Sequence, residues 1–238
     1  MKRVTLSHLL NSLMFLVLGA GSLFTLSAAT LTGFPFADED LAYSINWPSG
    51  LGLGESHIHA RHNGANWNFE LTIDAGIPGF VVKDLYSSVS NSGFCSVSFN
   101  RNIAHGSRKT GEKETVEAGT ATRSTLNGGG DSHVAVPDCV KDALNFLFYT
   151  RRELGQGRVP PSQSILLGGL YPIRLEYAGA QTIKVNDQPT ESDKILCTVS
   201  TAKSDIKFEV YFARDPARTP LVIKVPFAMG TFSMELVR

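Results

Sequence analysis

Three histidines close together, His57, His59 and His62, are the residues whose type and spacing first suggest metal chemistry. On a strand, His57 and His59 share one face, while His62 falls on the other with Ile58 and Ala60. A metal centre would need two further ligands converging from elsewhere, such as His105 or His133. Solvent-facing strand histidines are the simpler reading, so no metal site and no cofactor is expected. Gly50, Gly52 and Gly54 mimic a phosphate-binding loop, but the residues after them, Glu55 to His62, alternate like a strand and open no helix. No G-x-S-x-G nucleophile turn occurs. Glu70, Asp74 and Glu176 lie on strand patterns where paired carboxylates could do hydrolytic work, yet their parity points them outward to solvent. The catalytic residues are therefore unknown, and an enzyme is the less favoured reading.

The three cysteines carry more information. Cys95 lies on an apolar strand face, Cys139 in the first turn of an expected helix, and Cys197 between Ile195 and Val199. In an oxidising compartment one bridge and one buried thiol is a natural allocation. The favoured pair is Cys95–Cys139, which would staple the helix to the sheet and leave Cys197 as core; other pairings stay open. Arg214, Asp215, Pro216, Arg218, Thr219 and Pro220 read as a hairpin turn with both arginines solvated, the alternative being an ion-paired Arg218 that anchors a rim.

The elements that would position these residues begin with a secretory signal over residues 1–29. Lys2 and Arg3 precede an apolar run from Leu9 to Leu26, and Ser27-Ala28-Ala29 offers cleavage after Ala29. An uncleaved anchor is the weaker reading, because Asn11, Ser12 and the Gly19–Ser22 stretch interrupt the run. No cysteine near the cleavage point supports lipidation, and no transmembrane segment is expected once the signal is removed. The remaining 30–238 reads as a single β-rich domain. Lys+Arg and Asp+Glu are both 22, which argues against a nucleic-acid partner.

Alternation with period two recurs along this domain: Trp67, Phe69, Leu71 and Ile73 against Asn68, Glu70, Thr72 and Asp74 is the clearest case. Similar strands run through Tyr43–Trp47, Cys95–Phe99, Tyr171–Tyr177, Ile195–Val199, Ile206–Phe212, Leu221–Val225 and Phe232–Leu236. Turn chemistry separates them at Asn63-Gly64, Asn91-Ser92-Gly93, Ala178-Gly179, Asn186-Asp187 and Asp215-Pro216. The polar, Gly-rich stretch 105–136 is expected to be an exposed hairpin or flap. One amphipathic helix is expected over 139–154, with Asp138 as N-cap, Val140, Leu144, Leu147 and Phe148 on its apolar face, Arg151 and Arg152 near its end and Gly155 as stop. The fold class is mainly β: an antiparallel meander forming a strongly curved sheet or open barrel, with the helix packed against it.

From Leu41 onward the order of features resembles the exported bacterial family known as domain of unknown function 3108. The resemblance rests on Tyr43, Ile45 and Trp47 leading into Gly54-Glu55, on Asp142-Ala143-Leu144 through Leu147-Phe148-Tyr149 with Arg151-Arg152, and on Phe212-Ala213-Arg214-Asp215-Pro216-Ala217-Arg218-Thr219-Pro220-Leu221 followed by Gly230-Thr231-Phe232. Tyr211 or Phe212 stands where the family often shows Trp. The resemblance implies a periplasmic, β-rich single domain and brings no catalytic residues with it.

The function read from these features is that of a periplasmic or otherwise exported envelope protein, binding a lipid-like or glycan ligand in its concavity or assisting envelope assembly. Trp47, Trp67, Phe99, Tyr171 and Phe208 are the aromatic residues that would line the concavity, unless they are plain core. The alternatives are an envelope hydrolase with carboxylate or His chemistry at the rim, and a structural partner of an outer-membrane complex.

Overall fold

The computed structural model describes residues 37–77, 79–126, 128–227 and 230–237. The segment 1–29, with its expected cleavage after Ala29, lies outside the described residues. Among the described residues no helix is long and apolar enough to cross a membrane.

Alternating sequence becomes paired strands throughout. The first half of the chain forms β1 (Glu39–Asn46), β2 (Gly52–Asn63), β3 (Asn66–Ile77), β4 (Phe80–Asn91), β5 (Ser96–His105), β6 (Arg108–Glu117), β7 (Thr120–Thr125) and β8 (Asp131–Ala135). After the short β9 (Lys141–Asp142) and helix α1 (Ala143–Gly155), the second half forms β10 (Gln163–Leu166), β11 (Leu170–Val185), β12 (Gln188–Ser200), β13 (Asp205–Ala213), β14 (Pro220–Phe227) and β15 (Gly230–Val237). Each half is a meander, and the two join where β1 pairs antiparallel with β15, Tyr43 opposite Leu236. The sheet is open: its edges are β8 and β9, strands that follow one another in sequence.

Of the two readings of the segment 105–136, hairpin or flap, the structure has hairpins. The segment carries β6, β7 and β8, which extend the sheet to its edge with ordinary antiparallel pairing. Its polarity reflects an inner face that is itself polar on β6, not a lack of structure. Ala178-Gly179 is likewise no turn between strands but a bulge within the 16-residue β11, where the register shifts between Tyr177 and Ala180. Asn186 and Asp187 do form a tight hairpin turn, both at positive φ.

The helix starts later than 139. Cys139 sits at positive φ, and Lys141 and Asp142 pair parallel with Ile165 and Leu166 of β10 before the helix opens. Asp142, not Asp138, is the N-cap: its Oδ1 accepts from the backbone N–H of Leu144 (3.0 Å) and Asn145 (2.9 Å). The helix runs through Gly155 and is capped at Gln156.

Both flanks of α1 are covered, so it lies inside the curve of the sheet. Leu144 and Phe148 pack with Tyr43, Ile58, Trp67, Phe69 and Phe99, whereas Phe146 and Leu154 pack with Ile165, Ile173, Ile195, Val210 and Phe212. The rings of Phe148 and Phe69 stack at 3.9 Å. Each such buried side chain contributes about 1.5–3 kcal/mol of hydrophobic stabilisation. Val140, expected on the helix, belongs instead to an apolar seam with Ala121, Val136 and Leu166 that joins the two ends of the sheet.

Candidate functional site

The site is built by what α1 fills and what it leaves open. Successive turns alternate between two ends of the curved sheet. One end holds the β2–β3, β4–β5 and β13–β14 turns together with α1; the other holds the β1–β2, β3–β4, β5–β6, β7–β8 and β12–β13 turns. At the helix end the inward residues Trp67, Phe69, Phe99 and Phe212 are completely buried. Further along the same strand faces, Leu71, Ile73, Tyr86, Val199, Phe208 and Met234 are only half-buried. The concavity is thus plugged at one end, and towards the other its inward residues are less covered, apolar on β3 and β12–β15 and polar on β4–β7.

The plug is pinned by polar contacts. Asp142 is wholly buried, and its Oδ2 accepts from the hydroxyls of Ser88 (2.7 Å) and Ser96 (2.6 Å). Burial pushes this carboxyl up, opposed by the Ser96, Asn145, Ser88 and Leu144 hydrogen bonds. Arg151, also fully buried, clamps Glu39 of β1 through two bonds of 2.6 and 2.8 Å and donates from Nε to the Ala217 carbonyl. Arg152 lies over the rings of Phe94 and Tyr149. The pair expected to complement the helix dipole therefore acts through fixed contacts to other elements.

A second polar group lines the inner wall of β5–β7 under the β10–β11 turn. Glu112 receives Arg101, whose Nε lies 2.8 Å from Oε2, and Arg123, whose Nη2 lies 2.9 Å from Oε1. Arg123 also donates to the Gly168 carbonyl at 3.1 Å. Gly168 is at positive φ, a backbone conformation that favours glycine, and it lies against the Arg101 guanidinium. Beside them Glu114 is 2% exposed, and its Oε2 has no hydrogen-bond partner among the described residues. Burial pushes the Glu114 carboxyl up to about 7, against the lowering effects of the Gly168 N–H and Arg101; Glu112 and Asp142 raise it further.

Cys95 and Cys139 form a disulfide, their Cα atoms 4.4 Å apart. It ties the β4–β5 turn to the segment entering β9, where Ser96 N–H also donates to the Val140 carbonyl at 2.8 Å. The bridge therefore joins an interior turn of the first half to the β9 edge of the second. Cys197 is buried in the second core cluster, and burial raises its thiol to about 12, which keeps it protonated and inert.

The histidines do not converge. His57 and His59 stack on the outer face, and His59 contacts Asp40, whose carboxyl is lowered by Arg61 and then by His59. His62 packs edge-on against Trp67, His105 Nε2 lies 3.0 Å from Asp84 Oδ2, and His133 Nδ1 lies 3.0 Å from the Thr122 hydroxyl. Among the described residues no group of three or more His, Cys, Asp or Glu could hold a metal ion. Asp74 pairs with Lys83 at 2.9 Å and Glu176 with Arg174, both on the outside. The reading of the 214–220 turn needs correction: Arg218 is not solvated. It binds Asp193 at 2.6 Å with only 13% of its side chain exposed, because the β12–β13 register brings Asp193 beneath the turn. Of the aromatic residues expected to line the concavity, Trp67 and Phe99 are core, whereas Trp47, Tyr171 and Phe208 are half-buried.

Fold and site together define an open, barrel-like antiparallel sheet with a helical plug. The same architecture occurs in a β-barrel-like protein of the domain of unknown function DUF1849 from Brucella abortus, with a TM-score of 0.61 and 8% identity, covering 84% of this chain and 96% of that one. A candidate lipoprotein from Parabacteroides distasonis aligns at 8% identity with a TM-score of 0.33, covering 85% of this chain and 95% of its own. A candidate exported protein with a YmcC-like fold from Bacteroides fragilis aligns at 10% identity with a TM-score of 0.30, covering 87% and 98%. Comparison with curated proteins gives no match. The family described as protein of unknown function DUF3108 matches residues 42–237, and the chain belongs to it.

Proposed function

We propose that this is a non-enzymatic, exported envelope protein that holds the apolar part of a lipid-like ligand in the open half of its concavity. One observation carries the reading. The inward apolar rows that are sealed by α1 at one end continue past it as half-buried Ile73, Val199, Phe208 and Met234, with Ile77 and Ile206 more than 40% exposed at the mouth. A protein that used these rows only as core would have covered them, since leaving large apolar faces in water forfeits about 25 cal/mol per Å². The secretory features of residues 1–29 support export to the periplasm.

The test has two arms. Protein recovered from its native envelope is weighed by mass spectrometry under native and then denaturing conditions, where a mass excess lost on denaturation is expected. Purified protein is titrated with a fluorescent fatty-acid analogue, which should brighten with the wild type and much less with Phe208→Asp or Ile73→Ser of unchanged circular dichroism. No mass excess together with no brightening refutes the proposal.

A further inference from the structure

The rim of the open mouth is itself unusual. Leu51, Ile77, Phe80, Val81, Leu126 and Ile206 are 42–62% exposed. All six lie in, or beside, the β1–β2, β3–β4, β7–β8 and β12–β13 turns, on the end away from α1. The other exposed large apolar residues, Leu85, Val97, Val134, Tyr177 and Val237, stand singly on five different strands. Cations accompany the rim: Arg108 and Lys109 follow the β5–β6 turn, and Lys203 and Lys207 flank the β12–β13 turn, all four exposed. The acids in the same positions are Asp131 and Asp205, so the rim is net basic. Outside the wall, next to these turns, opens a groove of about 410 Å³ lined by Lys83, Leu85, Lys109 and Leu126 among others.

We infer that this mouth docks on an anionic lipid bilayer. Apolar side chains on several turns, ringed by cations on long flexible stems, match the two layers of a membrane interface: acyl chains below and negatively charged headgroups around. The rim is also continuous with the apolar concavity, so a chain leaving the bilayer would pass from one apolar surface to another without crossing water. The inference rests on the apolar-ligand reading above for its purpose but not for its test.

The mature chain is mixed with vesicles of phosphatidylethanolamine and phosphatidylglycerol, or of phosphatidylcholine alone, and separated by flotation. Wild type floats with the anionic vesicles and is released by salt. The triple variant Leu51→Ser, Phe80→Ser, Ile206→Ser should bind about tenfold more weakly or worse, and Lys203→Glu with Lys207→Glu should abolish the preference for anionic lipid. All five positions are exposed, and unchanged circular dichroism verifies folding. Failure of the wild type to float with any vesicle, or a triple variant that floats equally well, overturns the inference. So does rim-dependent self-association in sedimentation velocity without flotation, which would make the occupant a second copy. Brightening of the fatty-acid analogue without flotation would sink the docking and leave the cavity reading standing.

Discussion

Replacing Glu114 by glutamine should make the protein more stable, and only above mildly acidic pH. The side chain is 2% exposed, and burial raises its pKa from 4.5 to about 7. Below about pH 4.5 the carboxyl is protonated in folded and unfolded chains alike, so it has no differential effect. As pH rises towards 7, the unfolded chain releases a proton that the folded chain retains, and the folded state loses ground. Above the folded pKa the loss is complete. Each tenfold difference in proton affinity is worth about 1.4 kcal/mol, so the total approaches roughly 3 kcal/mol. Glu114→Gln keeps the shape and removes the ionisation. Urea unfolding followed by tryptophan emission, with the disulfide intact, should give similar stabilities for the two proteins near about pH 4.5 and a variant more stable by roughly 3 kcal/mol near about pH 8. Parallel pH profiles for the two proteins would show that Glu114 does not ionise against its environment, and the account of the inner wall would be wrong.

Three further outcomes are expected. Replacing both Cys95 and Cys139 by serine removes a bridge closing a 44-residue separation and should cost about 4 kcal/mol by loop-closure entropy, read as a lower urea midpoint. Arg151→Ala strips a buried guanidinium from Glu39 and from the Ala217 carbonyl, and calorimetry should register a loss of about 3–5 kcal/mol. Asp142→Ala removes the helix cap and the acceptor of the Ser88 and Ser96 hydroxyls; a loss of about 3 kcal/mol is expected from the cap and the stranded buried donors, and one below 1 kcal/mol would contradict the assigned roles.

The strands were legible because one face of most of them is apolar and the other polar, and the curved antiparallel meander followed from the short turns between them. Where alternation is missing, reading failed. In β6, Glu112 and Glu114 face inward while Lys113 and Thr115 face out, so both faces are polar and the strand read only as part of an exposed hairpin or flap. The signal that could have marked it is the strand spacing between Arg108 and Glu117, not its hydrophobicity. The helix start was misplaced because Pro137-Asp138 makes a good local cap. The chain at Lys141 is held instead by the parallel pairing with β10, a contact from a later segment. An acid directly before the periodic Leu144 and Phe148 was the better clue. Arg218 and Asp193 lie 25 residues apart, and only the registers of β12, β13 and β14 bring them together.

The two halves of the sheet are joined on opposite sides of the curve. On one side β1 and β15 are paired by backbone hydrogen bonds; on the other, Cys95–Cys139 ties the β4–β5 turn covalently to the segment entering the edge strand β9. The molecule is therefore a hoop with a clasp. Reduction would remove only the covalent part of that clasp; the Ser96–Val140 hydrogen bond, the buried Asp142 contacts and the apolar seam of Ala121, Val136, Val140 and Leu166 would still hold it shut.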